Sequence, residues 1–329
     1  MTADFRWGLI GPGRIAHRFA QALAHHGCGV LQAVASRSEQ RAQAFASKYN
    51  ASFVYTNYDD LFAAADVDGV YIATPHNFHF EQIAACIKAG KPVLCEKPLT
   101  VTAAQTEALI ELSRSHQVFL MEALWSRFLP VYQKVDYWLS KGLIGTPRLV
   151  QSNFGFNVPR NESDRLLNPN LAGGVLLDMG VYCMSMSQWV FGRSPLSANA
   201  SGIVGTTGVD ELMVANLDFG QHQFAQFSCN FVSQTENSLT IYGSNGHIKV
   251  DEMFWDATSA SLHLANGTVE QCNEPYAQTG FEYEIMEAER CIQAGKIESD
   301  MISHKMTLET MQWMDNLRNQ LNVQYPEDR

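Results

Sequence analysis

The sequence has no run of basic residues. Lys and Arg together number 23 against 34 Asp and Glu, for a net charge of −11, and the absence of any basic stripe argues against a nucleic-acid partner. No apolar stretch approaches the roughly 20 residues that a membrane span requires. No basic-then-apolar signal pattern precedes the first apolar segment, so the chain reads as a cytoplasmic protein with no membrane partner. Its seven cysteines (Cys28, Cys86, Cys95, Cys183, Cys229, Cys272 and Cys291) stand singly. An odd count with no C-x-x-C favours neither a disulfide framework nor a zinc site, and buried reduced thiols are expected. His76 and His79 mimic a metal pair, but no third ligand is spaced to help, so no metal is expected. What is present is ordinary for a folded protein, with 46% hydrophobic and 17% charged residues. Its 329 residues suggest about two domains.

The most informative stretch is Phe5 to Ala16. A short apolar run, Trp7 to Ile10, enters a turn with Gly11 and Gly13, and a helix follows from Ile15. Gly11 permits a tight strand-to-helix turn, Gly13 lets backbone approach a phosphate, and Ala16 lets the helix pack on the strand. The helix start, at Arg14 and Ile15, would offer free N–H groups to a pyrophosphate.

From there to about residue 122 strand and helix signals alternate. Strands are expected at Val30–Ala35, Ser52–Tyr55, Gly69–Thr74, Pro92–Cys95 and Val118–Met121, and helices at Ser38–Tyr49, Asp59–Ala65, Phe78–Ala89 and Thr102–His116. Such alternation implies an α/β, doubly wound parallel sheet. Ligands bind beyond the carboxyl ends of its strands, which selects Gly11–Ala16, Ser36–Arg37, Thr74–His79 and Glu96–Pro98 as one rim. Beyond 122 the texture changes. Helices are expected at Phe128–Lys141, from Gly173-Gly174 to Phe191, at Phe281–Ala294 and at Ser303–Gln320. Strands are expected at Arg148–Phe156 and in a series from about 196 to 271. This reads as an α+β domain with a large, mainly antiparallel sheet, so the chain divides into residues 1–122 and 123–329.

The second strand ends in Ser36-Arg37-Ser38, with no carboxylate to accept from a ribose 2′-hydroxyl. Arg37 and the flanking hydroxyls suit a 2′-phosphate, so NADP(H) is preferred over NAD(H). The competing reading of Arg37 is a solvated loop arginine.

Gly11-x-Gly13-x-x-Ala16, Thr74-Pro75-His76, Glu96-Lys97-Pro98 and Gly173-Gly174-x-x-x-Asp178-x-Gly180-x-Tyr182 follow one another in the order found in the Gfo/Idh/MocA oxidoreductases (glucose–fructose oxidoreductase, inositol dehydrogenase and relatives). The resemblance covers essentially the whole chain. Val93–Pro98 and Phe119–Phe128 make it most similar to the branch of dimeric dihydrodiol dehydrogenases, also described as NADP-dependent D-xylose dehydrogenases. Tyr182 stands where many relatives have histidine. The resemblance implies an N-terminal Rossmann domain, a C-terminal domain whose open sheet forms a homodimer, and Lys97 and Tyr182 near the nicotinamide. It also implies hydride transfer to or from a dihydrodiol, sugar or dicarbonyl. The alternatives are a sugar or polyol oxidoreductase without dihydrodiol activity, and a non-catalytic NADP-binding regulator.

Hydride transfer at a carbinol carbon needs a proton moved at the oxygen. A phenol ionises near ~10, and a neighbouring ammonium favours its phenolate, so Lys97 would suit Tyr182 if the fold brings them together. Asp178, four residues before Tyr182, would orient a substrate hydroxyl or balance Lys97. Each has a plainer reading: Lys97 as a surface lysine and Tyr182 as core. An unpaired Asp inside Leu176-Leu-Asp-Met is less easily dismissed, because burying it is costly. The cofactor set is Gly11, Gly13, Arg14, Ile15, Ser36, Arg37, Thr74, Pro75, His76, Glu96 and Lys97, with His76 lining the nicotinamide pocket. The substrate-pocket set is Trp125, Arg127, Phe154, Asp178, Tyr182, Trp255 and Phe281; its aromatics Trp125, Phe154, Trp255 and Phe281, with Phe254, are what the resemblance implies, and the plainer reading of each is ordinary core. Arg127 either touches substrate or holds the Trp125 loop. His79 reads as a helix-start residue. Replacing Arg37 by Asp is expected to weaken NADPH binding far more than NADH binding in fluorescence titrations; an equal loss for both would remove the argument for a 2′-phosphate.

Overall fold

The computed structural model describes residues 4–25 and 27–328. The first segments are β1 (Arg6–Ile10), α1 (Arg14–Ala22), β2 (Val30–Ala35), α2 (Glu39–Tyr49), β3 (Phe53–Tyr55), α3 (Tyr58–Ala63), β4 (Gly69–Ile72), α4 (His79–Lys88), β5 (Val93–Glu96), α5 (Ala103–His116) and β6 (Leu120–Ala123). Their strands form one parallel sheet in the order β3-β2-β1-β4-β5-β6. The order reverses between β1 and β4, the point at which doubly wound sheets open a crevice for ligands. β4 and β5 are buried along their whole length, as expected of strands covered on both faces. Local signals set the helix ends. Ser38 Oγ accepts the Arg41 N–H at 3.4 Å to cap α2, and Asn50 ends it in the left-handed region at φ 57°.

The chain continues through α6 (Pro130–Ser140), β7 (Pro147–Gly155), α7 (Val181–Phe191), β8 (Ser197–Val204), β9 (Asp210–Asp218), β10 (Phe224–Asn230), β11 (Leu239–Gly243), β12 (Gly246–Val250), β13 (Ser259–Leu264), β14 (Val269–Asn273), α8 (Glu282–Gln293) and α9 (His304–Gln320). β7 to β14 build an eight-stranded sheet in the order β14-β13-β12-β11-β7-β10-β9-β8. All its neighbours are antiparallel except β7 and β10, which run parallel. Both expected sheets are present. The two edge strands, β8 and β14, carry no clean apolar alternation; β8 is half-buried or exposed throughout, and in β14 only Cys272 is buried. The helix expected straight after Gly174 begins instead as a π-helical turn, Leu176–Gly180, and becomes α-helical at Val181. Such turns recur at functional sites.

The chain forms two compact units that are not contiguous in sequence. The first is 1–100, 104–125 and 277–308; the second is 101–103, 126–276 and 309–329. A single cut at 122/123 therefore assigns α8 to the second part, whereas the structure packs it in the first. The reason is polar as well as apolar. Glu289 of α8 accepts from the Trp7 indole N–H at 2.7 Å and from the Gly29 N–H at 2.8 Å. Glu282 accepts the backbone N–H groups of Gln278, Thr279 and Gly280 at 2.8 to 3.0 Å, fixing the turn into the helix.

Within the second unit the C-terminal tail pins the start of the π-turn. The Tyr325 hydroxyl donates to the Gly173 carbonyl at 2.5 Å, and Asp210 Oδ2 accepts the Leu176 N–H at 2.6 Å. Arg318 bridges Asp315 at 2.9 Å and Asp328 at 2.5 Å, with its guanidinium 5.4 Å from the Tyr325 ring centre. Gly174 has φ +119°, and a Cβ there would meet the Asp210 carboxylate and lie 2.7 Å from the Tyr325 hydroxyl. Gly174→Ala is therefore expected to cost about 2 kcal/mol or more, since the backbone strain alone is of order 1–3 kcal/mol. A chemical-denaturation midpoint within error of the parent would contradict that packing.

Candidate functional site

The first unit collects most of the expected cofactor residues at the carboxyl ends of its parallel strands. Gly11, just after β1, has φ +83°, and a Cβ there would lie 2.9 Å from the Ala73 carbonyl and from Thr74 Cγ2. Only glycine lets the β1 turn rest against the end of β4. Gly13 differs: the nearest atom to a Cβ there is the Gly11 carbonyl oxygen at 3.9 Å, so protein packing does not demand glycine. What Gly13 leaves is open approach to backbone. Helix α1 follows it with no side-chain cap at Gly13, so its first N–H groups remain available to an anion. Ala16 is fully buried, as helix-on-strand packing requires.

Ser36 is buried at the end of β2, and its hydroxyl accepts the Ser38 N–H at 3.2 Å. Arg37 is exposed, its guanidinium 5.2 Å from the Phe78 ring centre. Arg41, four residues on, sends Nη2 to the Pro12 carbonyl at 3.3 Å. The structure thus sets a second guanidinium against the glycine turn, from the first turn of α2.

After β4, the Thr74 hydroxyl donates to Gln82 Oε1 at 2.7 Å, and His76 is buried with its ring centre 5.8 Å from that of His79. After β5 comes the Lys97–Pro98 turn, whose peptide bond is cis. Glu96, buried, accepts from the Tyr71 hydroxyl at 2.5 Å, and Tyr71 stacks on Phe19 at 3.8 Å.

Two carboxyl groups around this turn lie outside every expected site list. Glu122 Oε1 accepts the Leu99 N–H at 2.9 Å, and Oε2 accepts from the Thr307 hydroxyl at 3.1 Å. Burial pushes its pKa up to about 7, against the opposing pull of those donors and of the Lys97 ammonium. Glu284 of α8 is fully buried, and neither of its carboxyl oxygens has a hydrogen-bond partner among the described residues. Burial, then the Glu96 charge, pushes it well above the carboxylate range. Strongly perturbed acids cluster at functional sites, but their positions, on β6 and on a helix far along the chain, left no local trace in the sequence.

Trp125 and Phe281 also belong to the first unit. Their ring centres are 5.0 Å apart, with Arg18 4.2 Å from the Trp125 centre and 5.4 Å from that of Phe281. Arg18 is held in turn by the Thr279 carbonyl, through Nε at 2.8 Å and Nη2 at 2.6 Å.

The second unit carries the remaining residues. Asp178 lies in the π-turn and pairs with Arg165 at 3.1 Å. Tyr182 is buried in the first turn of α7, its ring centre 5.8 Å from Phe154. Phe154 stacks face to face on Trp255 at 3.5 Å and meets Phe254 edge-on at 5.8 Å. The Trp255 segment is fixed by the Ser126 hydroxyl on the Trp255 carbonyl at 2.5 Å and the Tyr132 hydroxyl on the Phe254 carbonyl at 2.7 Å. Asp178 therefore has a guanidinium partner, and Tyr182 has an aromatic wall. Arg127 is buried with its guanidinium 4.8 Å from the Trp189 ring centre, and burial lowers its pKa to about 10.

Similarity to known proteins bears on the family and the fold. Residues 5–124 match the model of an oxidoreductase family with an NAD-binding Rossmann fold, and residues 132–249 match the GFO/IDH/MocA C-terminal domain. The chain is 36% identical to trans-1,2-dihydrobenzene-1,2-diol dehydrogenase of Danio rerio over 98% of both chains. The structure of a 3-ketoreductase from Actinomadura kijaniata, in complex with NADP and TDP-benzene, superposes with a TM-score of 0.82 at 26% identity, covering 96% of this chain and 97% of that one. An aldose-aldose oxidoreductase from Caulobacter crescentus shares the fold, with a TM-score of 0.89 at 22% identity over 99% of this chain and 98% of the other. By sequence and by architecture, the chain belongs to the Gfo/Idh/MocA oxidoreductase family.

Proposed function

We propose that the chain is an NADP(H)-linked dehydrogenase or reductase acting on a CH–OH or carbonyl carbon of a trans-dihydrodiol, a sugar or a dicarbonyl. The observation that carries the reading is the rim of the first unit. There the positive-φ turn at Gly11, the open backbone at Gly13 and the uncapped start of α1 stand at the switch point of a doubly wound sheet. These residues fit a dinucleotide pyrophosphate. Exposed Arg37, with Arg41 beside the same turn, supports NADP over NAD, because two guanidinium groups favour a 2′-phosphate. Thr74, Pro75, His76 and Glu96 complete the residues assigned to the coenzyme. When bound, the nicotinamide supplies or accepts the hydride.

The chain's own residues would handle the oxygen. Lys97 donates a hydrogen bond to the substrate oxygen and stabilises negative charge there. Tyr182 gives or takes the proton through its hydroxyl. Asp178, paired with Arg165, orients a second hydroxyl. The stacked Phe154 and Trp255 rings of the second unit offer a flat apolar face suited to a diol-bearing ring or the C–H face of a sugar, and Trp125 and Phe281 are the pocket aromatics assigned from the first unit. The similarity to dihydrodiol dehydrogenases supports the diol, and a homodimer and a cytoplasmic location complete the reading.

A panel of pentoses, hexoses, polyols and trans-dihydrodiols with NADP⁺, and of dicarbonyls with NADPH, tests the activity. Turnover of at least one class is expected, and binding of NADPH with no turnover of any would favour a regulator. Lys97→Met and Tyr182→Phe are each expected to lower turnover by roughly 100-fold or more, the scale of general acid–base catalysis, while NADPH binding in fluorescence titrations persists. Full turnover in both variants would end this assignment of roles.

A further inference from the structure

His79 begins α4 and is fully buried. Its Nε2 lies 2.9 Å from the Thr74 carbonyl oxygen and its Nδ1 lies 3.0 Å from the Pro98 carbonyl oxygen. Thr74 is in the turn after β4, which packs against Gly11. Pro98 is in the turn after β5, one residue beyond Lys97. A single imidazole thus spans the two turns at the ends of adjacent parallel strands, and both of its nitrogens are committed to backbone. A histidine serving only to start a helix would not need both contacts.

The opposite side of the lysine turn is also held. The Leu99 N–H donates to buried Glu122, which Thr307 secures in turn. The turn carrying Lys97 therefore has one backbone group fixed by an imidazole and the next fixed by a carboxyl. Burial lowers the His79 pKa and the Lys97 charge adds to that, while the carbonyls of Thr74, Pro98 and Leu99 oppose it. A neutral ring carries one N–H, so it donates to one of these oxygens at a time and packs its other nitrogen against the second.

We propose that His79 is the positioning residue of Lys97, tying the Lys97–Pro98 turn to the coenzyme-side turn at Thr74 so that the two hold one geometry. This rests on the reading of Lys97 as a catalytic residue given above. A misplacement of about 1 Å at a reacting group can cost on the order of 100-fold in rate, so the brace acts on turnover more than on binding.

The test is a double-mutant cycle on the full-length protein with the best substrate of the panel. His79→Leu is expected to lower kcat by roughly 10- to 100-fold, with KM and the NADPH Kd changing much less. His79→Gln keeps an N–H donor for one carbonyl and should recover part of that loss. In the Lys97→Met background, adding His79→Leu should cost little more, because the residue acts through Lys97. If His79→Leu does not fold, His79→Gln carries the same cycle, with a smaller loss in kcat that disappears in the Lys97→Met background. Unchanged kcat in His79→Leu alongside a crippled Lys97→Met would overturn the inference and leave the proposed function standing. Losses that multiply in the double variant would also overturn it, since they would mark a purely structural role. Full turnover of Lys97→Met would remove the proposed role of Lys97 and the inference with it.

Discussion

The close contact between the β1 turn and the end of β4 is the constraint on which the first unit's site depends. Gly11 reaches the Ala73 carbonyl and the Thr74 side chain at a distance that no Cβ allows. That contact sets where the uncapped start of α1 stands, and so where an anion would be held. It also sets Thr74, whose carbonyl meets His79, whose other nitrogen meets Pro98. One line of backbone contacts thus runs from the glycine turn to the lysine turn, across three neighbouring strands of a sheet buried on both faces.

Around that line the protein buries acids at a cost. Glu122 and Glu284 are both held above the ordinary carboxylate range by desolvation, and each is therefore a position where folding stability has been traded for local chemistry or packing. Glu122 recovers part of the cost by accepting from Leu99 and Thr307. Glu284 makes no such bond among the described residues and lies beside the Glu96–Tyr71 pair. The second unit uses a related device at Asp210, pushed up to about 6 by burial and accepting the Leu176 N–H at the head of the π-turn. Asp178 and Tyr182 follow immediately. In both units a buried carboxyl secures the backbone next to the residues assigned to the reaction.

How much of this was readable in the sequence follows from the range of the interactions. The Gly11 turn, the Ser38 cap and the alternating β/α pattern are local, and the doubly wound parallel sheet and the family resemblance followed from them and from the motifs. The return of α8 to the first unit was not readable, because its anchor is Glu289 against Trp7 and Gly29, residues remote in sequence. Arg18 looked like any polar residue of α1; only the fold sets it against Trp125, Phe281 and the Thr279 carbonyl. β8 falls within the expected series of strands but carries no buried face to write a period of two, so its bounds were not legible. Arg37 and Lys97 were singled out from the strand tip and the Glu96-Lys97-Pro98 motif, whereas Arg41, Glu122 and His79 draw their meaning from backbone groups that no motif records.

The most direct test of the account is a crystal structure of the chain with NADP(H) bound. The account predicts the pyrophosphate against Gly13 and the start of α1, the 2′-phosphate against Arg37, and the Lys97 Nζ and Tyr182 hydroxyl both facing the reactive carbon of the nicotinamide. A coenzyme bound elsewhere, or those two groups in separate surroundings with neither facing the ring, would contradict it.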